Sequence, residues 1–297
     1  MEQISATDMR LIIVTGLSGS GKSIAIRQLE DSGYYCLDNL PIDFLESIVE
    51  HLRTHGLNRI AVAVDARSQT KLDNARDVLG NLRQSGYDVR VLFLTASTPE
   101  LVQRFSETRR RHPLTMPGGE SDALTLSEAI SKEREILAPA SLMAHVMDTT
   151  GLMANTLRDW VRQFADAPQS LMTLAYESFA FKHGLPVAAD LVFDVRNLPN
   201  PYYDKSLRPL TGLDAPVATF LDHCEDAQAM LDDITAFLKR WLPSYERQNR
   251  HYLTVAIGCT GGQHRSVYIA QTLSKRFSGL AGTVVRHRQL SRKKSYT

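Results

Sequence analysis

Cysteine is scarce in this chain. The three that occur, Cys36, Cys224 and Cys259, stand far apart and show no C-x-x-C spacing. That argues against a disulfide framework or a cysteine-based zinc site and points to a reducing compartment. The first residues lack a cationic segment leading into an apolar core, so a secretory leader is not expected. No run approaches the ~18 consecutive apolar residues of a membrane span, and the expectation is a cytoplasmic protein with no membrane partner. Acidic residues are missing from one region. Ten of the 34 Lys and Arg residues and none of the 33 Asp and Glu residues fall within 247–297. That stretch carries +10 and the rest of the chain −9, an asymmetry hidden by the net charge of +1. A basic end of this kind either aids solubility or meets an anionic partner, most simply nucleic acid.

What is present is ordinary for a globular protein: 297 residues, 43% apolar and 23% charged, enough for two domains with cores of their own. The first half alternates short apolar runs, at 11–15, 34–37, 60–65, 89–95 and 145–148, with helical patterns. This rhythm predicts an α/β domain, a parallel sheet with helices on both faces. Residues 97–100 read as a helix start with Ser97 and Glu100 spaced as a capping box. That helix would run to Arg109-Arg110-Arg111 and stop near His112-Pro113. A boundary is expected at 166–169, giving domains 1–166 and 170–297. The second domain also reads as α/β, with strands at 171–181, 191–195, 252–257 and 283–286. Its helices fall at 217–241 and 265–277, and a Pro-rich loop spans 197–203.

Residues 16–23 read GLSGSGKS, the phosphate-loop pattern G-x-x-x-x-G-K-[ST], between an apolar strand and a helix-like stretch at 24–31. Gly16, Leu17, Ser18, Gly19, Ser20 and Gly21 would wrap a polyphosphate with backbone N–H groups, and the helix would point its positive end at the same anion. Lys22 would reach the β- and γ-phosphates, and the Ser23 hydroxyl would hold Mg²⁺. Asp65, ending an apolar strand, is the first candidate for carboxylate help to the metal, with Asp38 its rival. Lys22, Ser23 and Asp65 are thus the candidate catalytic set. Asp65, Ala66, Arg67 and Ser68 together could help bind the nucleotide at the strand end. Arg109-Arg110-Arg111 reads either as a cationic lid or as a solvated helix end. No base for a specific phosphoryl acceptor stands out.

A second loop, 257–266, repeats this grammar: strand, Gly-containing turn, helix start. Backbone donors and Arg265 could converge on one phosphate. Cys259 and Arg265 also stand at C-x5-R-S spacing, which a cysteine phosphatase uses, and a purely structural turn is a third reading. The last stretch holds Arg286, Arg288, Arg292, Lys293 and Lys294 and could neutralise several RNA phosphates without base stacking.

Seven blocks in one order resemble the RapZ/YvcJ family of P-loop nucleotide-binding proteins. They are GLSGSGKS at 16–23, YYCLDNLP at 34–41, ETRRRHPL at 107–114, ESFAFKHG at 177–184, DLVFDVRNLPNP at 190–201, LRPLTGLD at 207–214 and YLTVAIGCTGGQHRSVYIA at 252–270. The resemblance implies ATP and GTP binding with weak hydrolysis, ATP at 16–23 and GTP at Asp65 to Ser68. It implies a C-terminal domain that binds a small regulatory RNA and presents it to an endoribonuclease, under control of an amino-sugar phosphate such as glucosamine-6-phosphate. Asp194, Thr260, Gly261 and Arg265 would fall in the phosphosugar pocket, with Tyr202 of the Pro-rich loop beside them. A homo-oligomer is also expected. Three other readings stay open: a small-molecule P-loop kinase, a C-terminal phosphatase, and a nucleotide-gated protein-interaction module without RNA.

Overall fold

The computed structural model describes residues 9–64, 74–115, 124–167, 172–248, 250–280 and 282–293, with residues 291–293 as backbone. The chain divides into two compact units, residues 1–165 and 166–297.

The first unit is built on a five-stranded sheet in which every pair is parallel. Its strands are β1 (Arg10–Gly16), β2 (Tyr35–Leu37), β3 (Arg59–Ala63), β4 (Asp88–Thr95) and β5 (His145–Asp148). They lie in the order β2-β3-β1-β4-β5. β1 and β4 are central and buried along their length, which is why they read as continuous apolar runs rather than alternating ones. Register puts Ile13 opposite Val62 and Val91. That face packs on Leu45 and Val49 of α2 (Leu45–Thr54), Leu79 and Leu82 of α3 (Ala75–Gln84) and Ile130 and Leu137 of α5 (Leu126–Leu142). Val14, Leu92 and His145 line the other face. There the His145 ring stacks on Phe164 of α6 (Ala154–Asp166) at 5.3 Å. α1 (Lys22–Asp31) and α4 (Thr98–Thr108) complete the unit.

Three local expectations are corrected here. α4 ends at Thr108, and Arg109 takes a left-handed conformation with φ of 52°, so the arginine run lies beyond the helix. Ser97 is the N-cap of α4, but its side chain makes no capping bond. Its N–H is instead held by Thr150 Oγ1 at 2.8 Å, and Glu100 pairs with Arg104. The capping box belongs to α5, where Thr125 and Glu128 exchange both bonds. The third strand ends at Ala63, before Val64, and Asp65 lies outside the described residues.

The second unit holds a four-stranded, all-parallel sheet in the order β7-β8-β6-β9. Its strands are β6 (Thr173–Ala180), β7 (Leu191–Asp194), β8 (Tyr252–Cys259) and β9 (Gly282–His287). Leu174, Tyr176, Val255 and Ile257 meet Val217 and Leu221 of α7 (Ala215–Asp222), Leu231 and Leu238 of α8 (Glu225–Arg247) and Ile269 and Leu273 of α9 (Arg265–Phe277). The single helical period expected at 217–241 is two helices, broken at His223 and Cys224. A helix of 8 residues and one of 23 share one apolar period because both face the same core.

The basic end is partly internal. Arg286 sits in β9 opposite Glu177 of β6 and is 1% exposed. Burial pulls its guanidinium down to about 10 against the attraction of Glu177. Arg288 opens α10 (Arg288–Lys293), is buried, and donates to Glu177 Oε1 at 3.0 Å. Buried in this way, Arg286 and Arg288 present no charge to an external polyanion, contrary to expectation. A buried carboxylate needs paired cations, and these two supply them. Arg292 and Lys293 fall in α10, with side chains outside the described residues, as is the whole of Lys294.

His287 lies between the two arginines, with Nδ1 2.9 Å from Ser178 Oγ and Nε2 3.4 Å from Gln271 Oε1. Burial pushes its imidazole down from 6.5 to about 4. The unfolded chain therefore takes the proton first, and stability falls as pH drops from about 6.5 to about 4. Replacing His287 by Gln should remove this part of the acid sensitivity, on the order of 2 kcal/mol. Urea denaturation of both proteins at pH 7 and pH 4.5 checks it, the wild type losing more stability than the variant.

Candidate functional site

β1 delivers the chain to the first loop at Gly16, and the neighbouring strand leaves no room for a side chain there. A Cβ on Gly16 would stand 2.0 Å from the Leu94 carbonyl oxygen, and the residue holds φ of +130°. Leu17 N–H then donates to that same carbonyl at 3.0 Å. Gly19 and Gly21 also take positive φ, so the loop can reverse direction twice before α1 begins at Lys22. No acidic residue occupies the first turn of α1, so that turn carries no counter-charge of its own.

The loop is tied down largely through its carbonyls. Lys22 Nζ donates to Gly16 O at 2.7 Å. Arg104 of α4 donates to Gly19 O at 3.1 Å and to the Thr149 carbonyl at 2.7 Å. Thr149 Oγ1 donates to Ser20 O at 2.9 Å. Across a planar peptide, a Ser20 carbonyl held by Thr149 turns the Gly21 N–H the opposite way. Ser18 departs from its expected role. Its N–H and hydroxyl both bond the Glu133 carboxylate, at 2.9 and 2.7 Å, so these donors are committed to the protein. Burial raises the Glu133 carboxyl, but bonds from His112 and Ser18 and the charge of Lys22 outweigh it, and the net shift is downward. The next residue on α5, Arg134, donates to Thr95 Oγ1 at 3.0 Å and Ala96 O at 2.9 Å. One turn of α5 thus fixes both the phosphate loop and the end of β4.

Leu17 and Ser20 are buried, while Ser23 is exposed on the first turn of α1. Asp38 is exposed at the end of β2. Asp65, Ala66, Arg67 and Ser68 lie outside the described residues. Arg109, Arg110 and Arg111 are exposed. Sequence reading missed Arg104, Thr149, Glu133 and the whole of α5. The available signal was Thr125-x-x-Glu128, a capping box opening an apolar period.

The second loop, 260–264, joins β8 to α9. Gly258 is required by packing, since a Cβ would meet the rings of Phe181 and Phe179 at 2.4 and 2.5 Å. Cys259 Sγ is buried, accepts the Gly262 N–H at 3.2 Å and lies 3.1 Å from Ser266 Oγ. Arg265 is buried as well, and its Nη1 donates to the carbonyls of Arg196 and Leu198 at 2.7 and 2.9 Å. Its Nη2 lies 3.5 Å from Thr260 Oγ1. The guanidinium therefore braces the 196–198 segment through Nη1 and faces the loop at Thr260 through Nη2. Asp194 ends β7 and makes a bidentate pair with Arg196, whose hydrogen bond holds the carboxyl below its ordinary range. Arg196 in turn covers the Phe181 ring at 4.0 Å. Asp194, Arg196, Thr260 and Arg265 are thus brought together, and a Cβ on Gly261 would meet only open space. Tyr202 is 50% exposed in the turn after Asn200, under the Arg208 guanidinium at 4.7 Å.

No group of three or more His, Cys, Asp and Glu that could hold a metal occurs among the described residues. Among the same residues no helix is long and apolar enough to cross a membrane.

Comparison with known proteins matches residues 9–169 to the RapZ-like N-terminal domain and residues 172–291 to the RapZ C-terminal domain. Nucleotide-binding proteins of Burkholderia pseudomallei (strain 668), Burkholderia mallei (strain SAVP1) and Burkholderia thailandensis are each 54% identical over 284 residues. The match covers 94% of this chain and 95% of theirs. Among solved structures, a shikimate kinase from Acinetobacter baumannii is 20% identical with a TM-score of 0.35, covering 53% of this chain and 93% of its own. A gluconokinase from Sinorhizobium meliloti is 18% identical with a TM-score of 0.33, covering 52% and 93%. Family matches over both units, together with relatives that align over nearly their whole length, establish that the chain belongs to the RapZ family.

Proposed function

We propose that the protein is a nucleotide-binding RNA adapter. It takes ATP with Mg²⁺ at residues 16–23 and GTP at Asp65 to Ser68, hydrolyses nucleotide weakly, and senses an amino-sugar phosphate in its second unit. The observation that carries the nucleotide part is the loop itself: a strand end that only glycine can occupy, carbonyls pinned to the protein, and a helix whose first turn carries no acid. Nucleotide binding in the printed names of the 54% identical relatives supports the same reading. Ser23, exposed on the first turn of α1, supports the reading of a hydroxyl ligand to Mg²⁺, and Lys22, now on the Gly16 carbonyl, is within the same turn. Asp194, Thr260, Gly261 and Arg265 support the phosphosugar part, with Arg265 shaping the pocket through the 196–198 segment. A cytoplasmic setting suits three cysteines that are all free. The RNA partner, the endoribonuclease that receives it and a homo-oligomeric state belong to the same reading through family membership.

Lys22→Ala tests the nucleotide site. A charge-assisted phosphate contact contributes roughly 1.5–3 kcal/mol, so ATP affinity by calorimetry should fall on the order of ten- to a hundredfold. A folded variant with unchanged affinity removes the site.

RNA binding is tested at the cations left to the tail. With Arg286 and Arg288 internal, the phosphate contacts fall to Arg292, Lys293 and Lys294. Changing these three to Gln should make the plot of log K against log salt shallower by about 2, at roughly 0.7 per contact with single-stranded RNA. Filter binding at several salt concentrations reads the slope, and an unchanged slope assigns the tail to solubility alone.

A further inference from the structure

Glu133 lies 115 positions from Ser18 in sequence, yet the two meet inside the protein. The carboxylate is wholly buried, and three donors converge on its two oxygens. Ser18 Oγ donates to Oε1 at 2.7 Å, and Ser18 N–H donates to Oε2 at 2.9 Å. His112 Nε2 lies 3.1 Å from that same Oε2. The Leu114 N–H donates to His112 Nδ1 at 3.2 Å. Nδ1 therefore carries the lone pair, and Nε2 carries the proton it gives to Glu133. The His112 ring packs against Phe105 at 5.2 Å. A Cβ on Gly19 would stand 3.2 Å from the Phe105 ring, and Arg104, one residue earlier, holds Gly19 O.

We propose that Glu133 and His112 are positioning residues of the nucleotide site, holding loop 16–23 in its phosphate-binding shape before any nucleotide arrives. The proposal rests on the nucleotide-binding reading above. A glycine-rich loop left to itself samples many backbone conformations, and ordering it at the moment of binding lowers affinity. A buried carboxylate is costly unless fully bonded. Here its hydrogen bonds go to the loop and to the histidine that follows the arginine run. Ser18 consequently supplies shape and not a phosphate contact. The arrangement also places Arg109, Arg110 and Arg111 between two anchors to the loop: α4, through Arg104 and Phe105, and His112, through Glu133.

The test compares Glu133→Ala and Glu133→Gln with the wild type, titrated with a fluorescent ATP analogue and Mg²⁺. The Ala variant leaves the Ser18 and His112 donors without their acceptor, and its affinity should drop about tenfold. In the Gln variant the amide oxygen accepts from Ser18 N–H and His112, while the amide N–H₂ donates to a rotated Ser18 hydroxyl. Its affinity should return to within about threefold of wild type. A Glu133→Ala protein that binds like wild type, or a Gln variant as weak as Ala, overturns the proposal. Residue-resolved hydrogen exchange on the nucleotide-free wild type decides the matter should the Ala variant not fold. The Ser18 amide should already be protected, while that of Gly21 becomes protected only when nucleotide is added. A Ser18 amide that exchanges as fast as that of Gly21 overturns it. A wild type that binds no nucleotide analogue rejects the nucleotide reading itself and this proposal with it.

Discussion

The close approach of Gly16 to the Leu94 carbonyl is the constraint on which the first unit depends. β1 and β4 are hydrogen-bonded neighbours in mid-sheet, and their register runs unbroken to the pair Gly16 and Leu94. At that pair the loop must leave the sheet without a side chain in the way. Everything that follows is fixed from that exit. The loop's carbonyls are reached by Lys22, Arg104 and Thr149, and its Ser18 by Glu133. These partners come from α1, α4, the end of β5 and α5, elements far apart in sequence that a parallel sheet brings to one end. Ligand sites at the carboxyl ends of parallel strands arise for this reason.

The two loops show how one backbone grammar yields two kinds of site. Both follow a buried strand and precede a helix, and both need glycine where a Cβ would collide. The first turns its carbonyls into the protein and leads into a helix whose first turn carries no acid. The second buries a thiol at its centre, which accepts the Gly262 N–H, and spends its arginine on the carbonyls of a neighbouring segment. A cysteine and an arginine at C-x5-R spacing therefore do not by themselves define a phosphatase. What decides is where the guanidinium points, and that is set by the tertiary partner.

Much of this architecture was legible in the sequence because buried parallel strands are continuous apolar runs. The strand at 145–148 and the helix at 265–277 begin and end where the residues alone placed them. The phosphate loop was equally plain, since its spacing is local. What was hidden depends on distant contacts. Glu133 looks like one more solvated acid on a charged helix until Ser18 is set against it. Arg286 and Arg288 look like the start of a basic tail until β9 pairs with β6 and places Glu177 beside them. The capping box went to the wrong helix because Ser97 and Thr125 carry the same motif. Only Thr125 has its partner Glu128 free of a competing arginine, whereas Glu100 is taken by Arg104.

The charge asymmetry along the chain changes meaning once burial is counted. The +10 of residues 247–297 invites the picture of one basic surface. Yet Arg265, Arg286 and Arg288 are all buried. Arg250 pairs with Asp190, and Arg276 with Asp232. These cations brace the second unit's own loops and strands, and their counter-charges lie in the acidic part of the chain. Formal charge along a sequence thus overstates the field that a polyanion meets. Internal pairs cancel at close range, and a partner more than a Debye length away responds only to what remains. For this chain the cations whose pairing is internal set the fold of the second unit. With those five set aside, the ten cations leave Arg247, Lys275, Arg292, Lys293 and Lys294, and of these Arg247 and Lys275 are exposed.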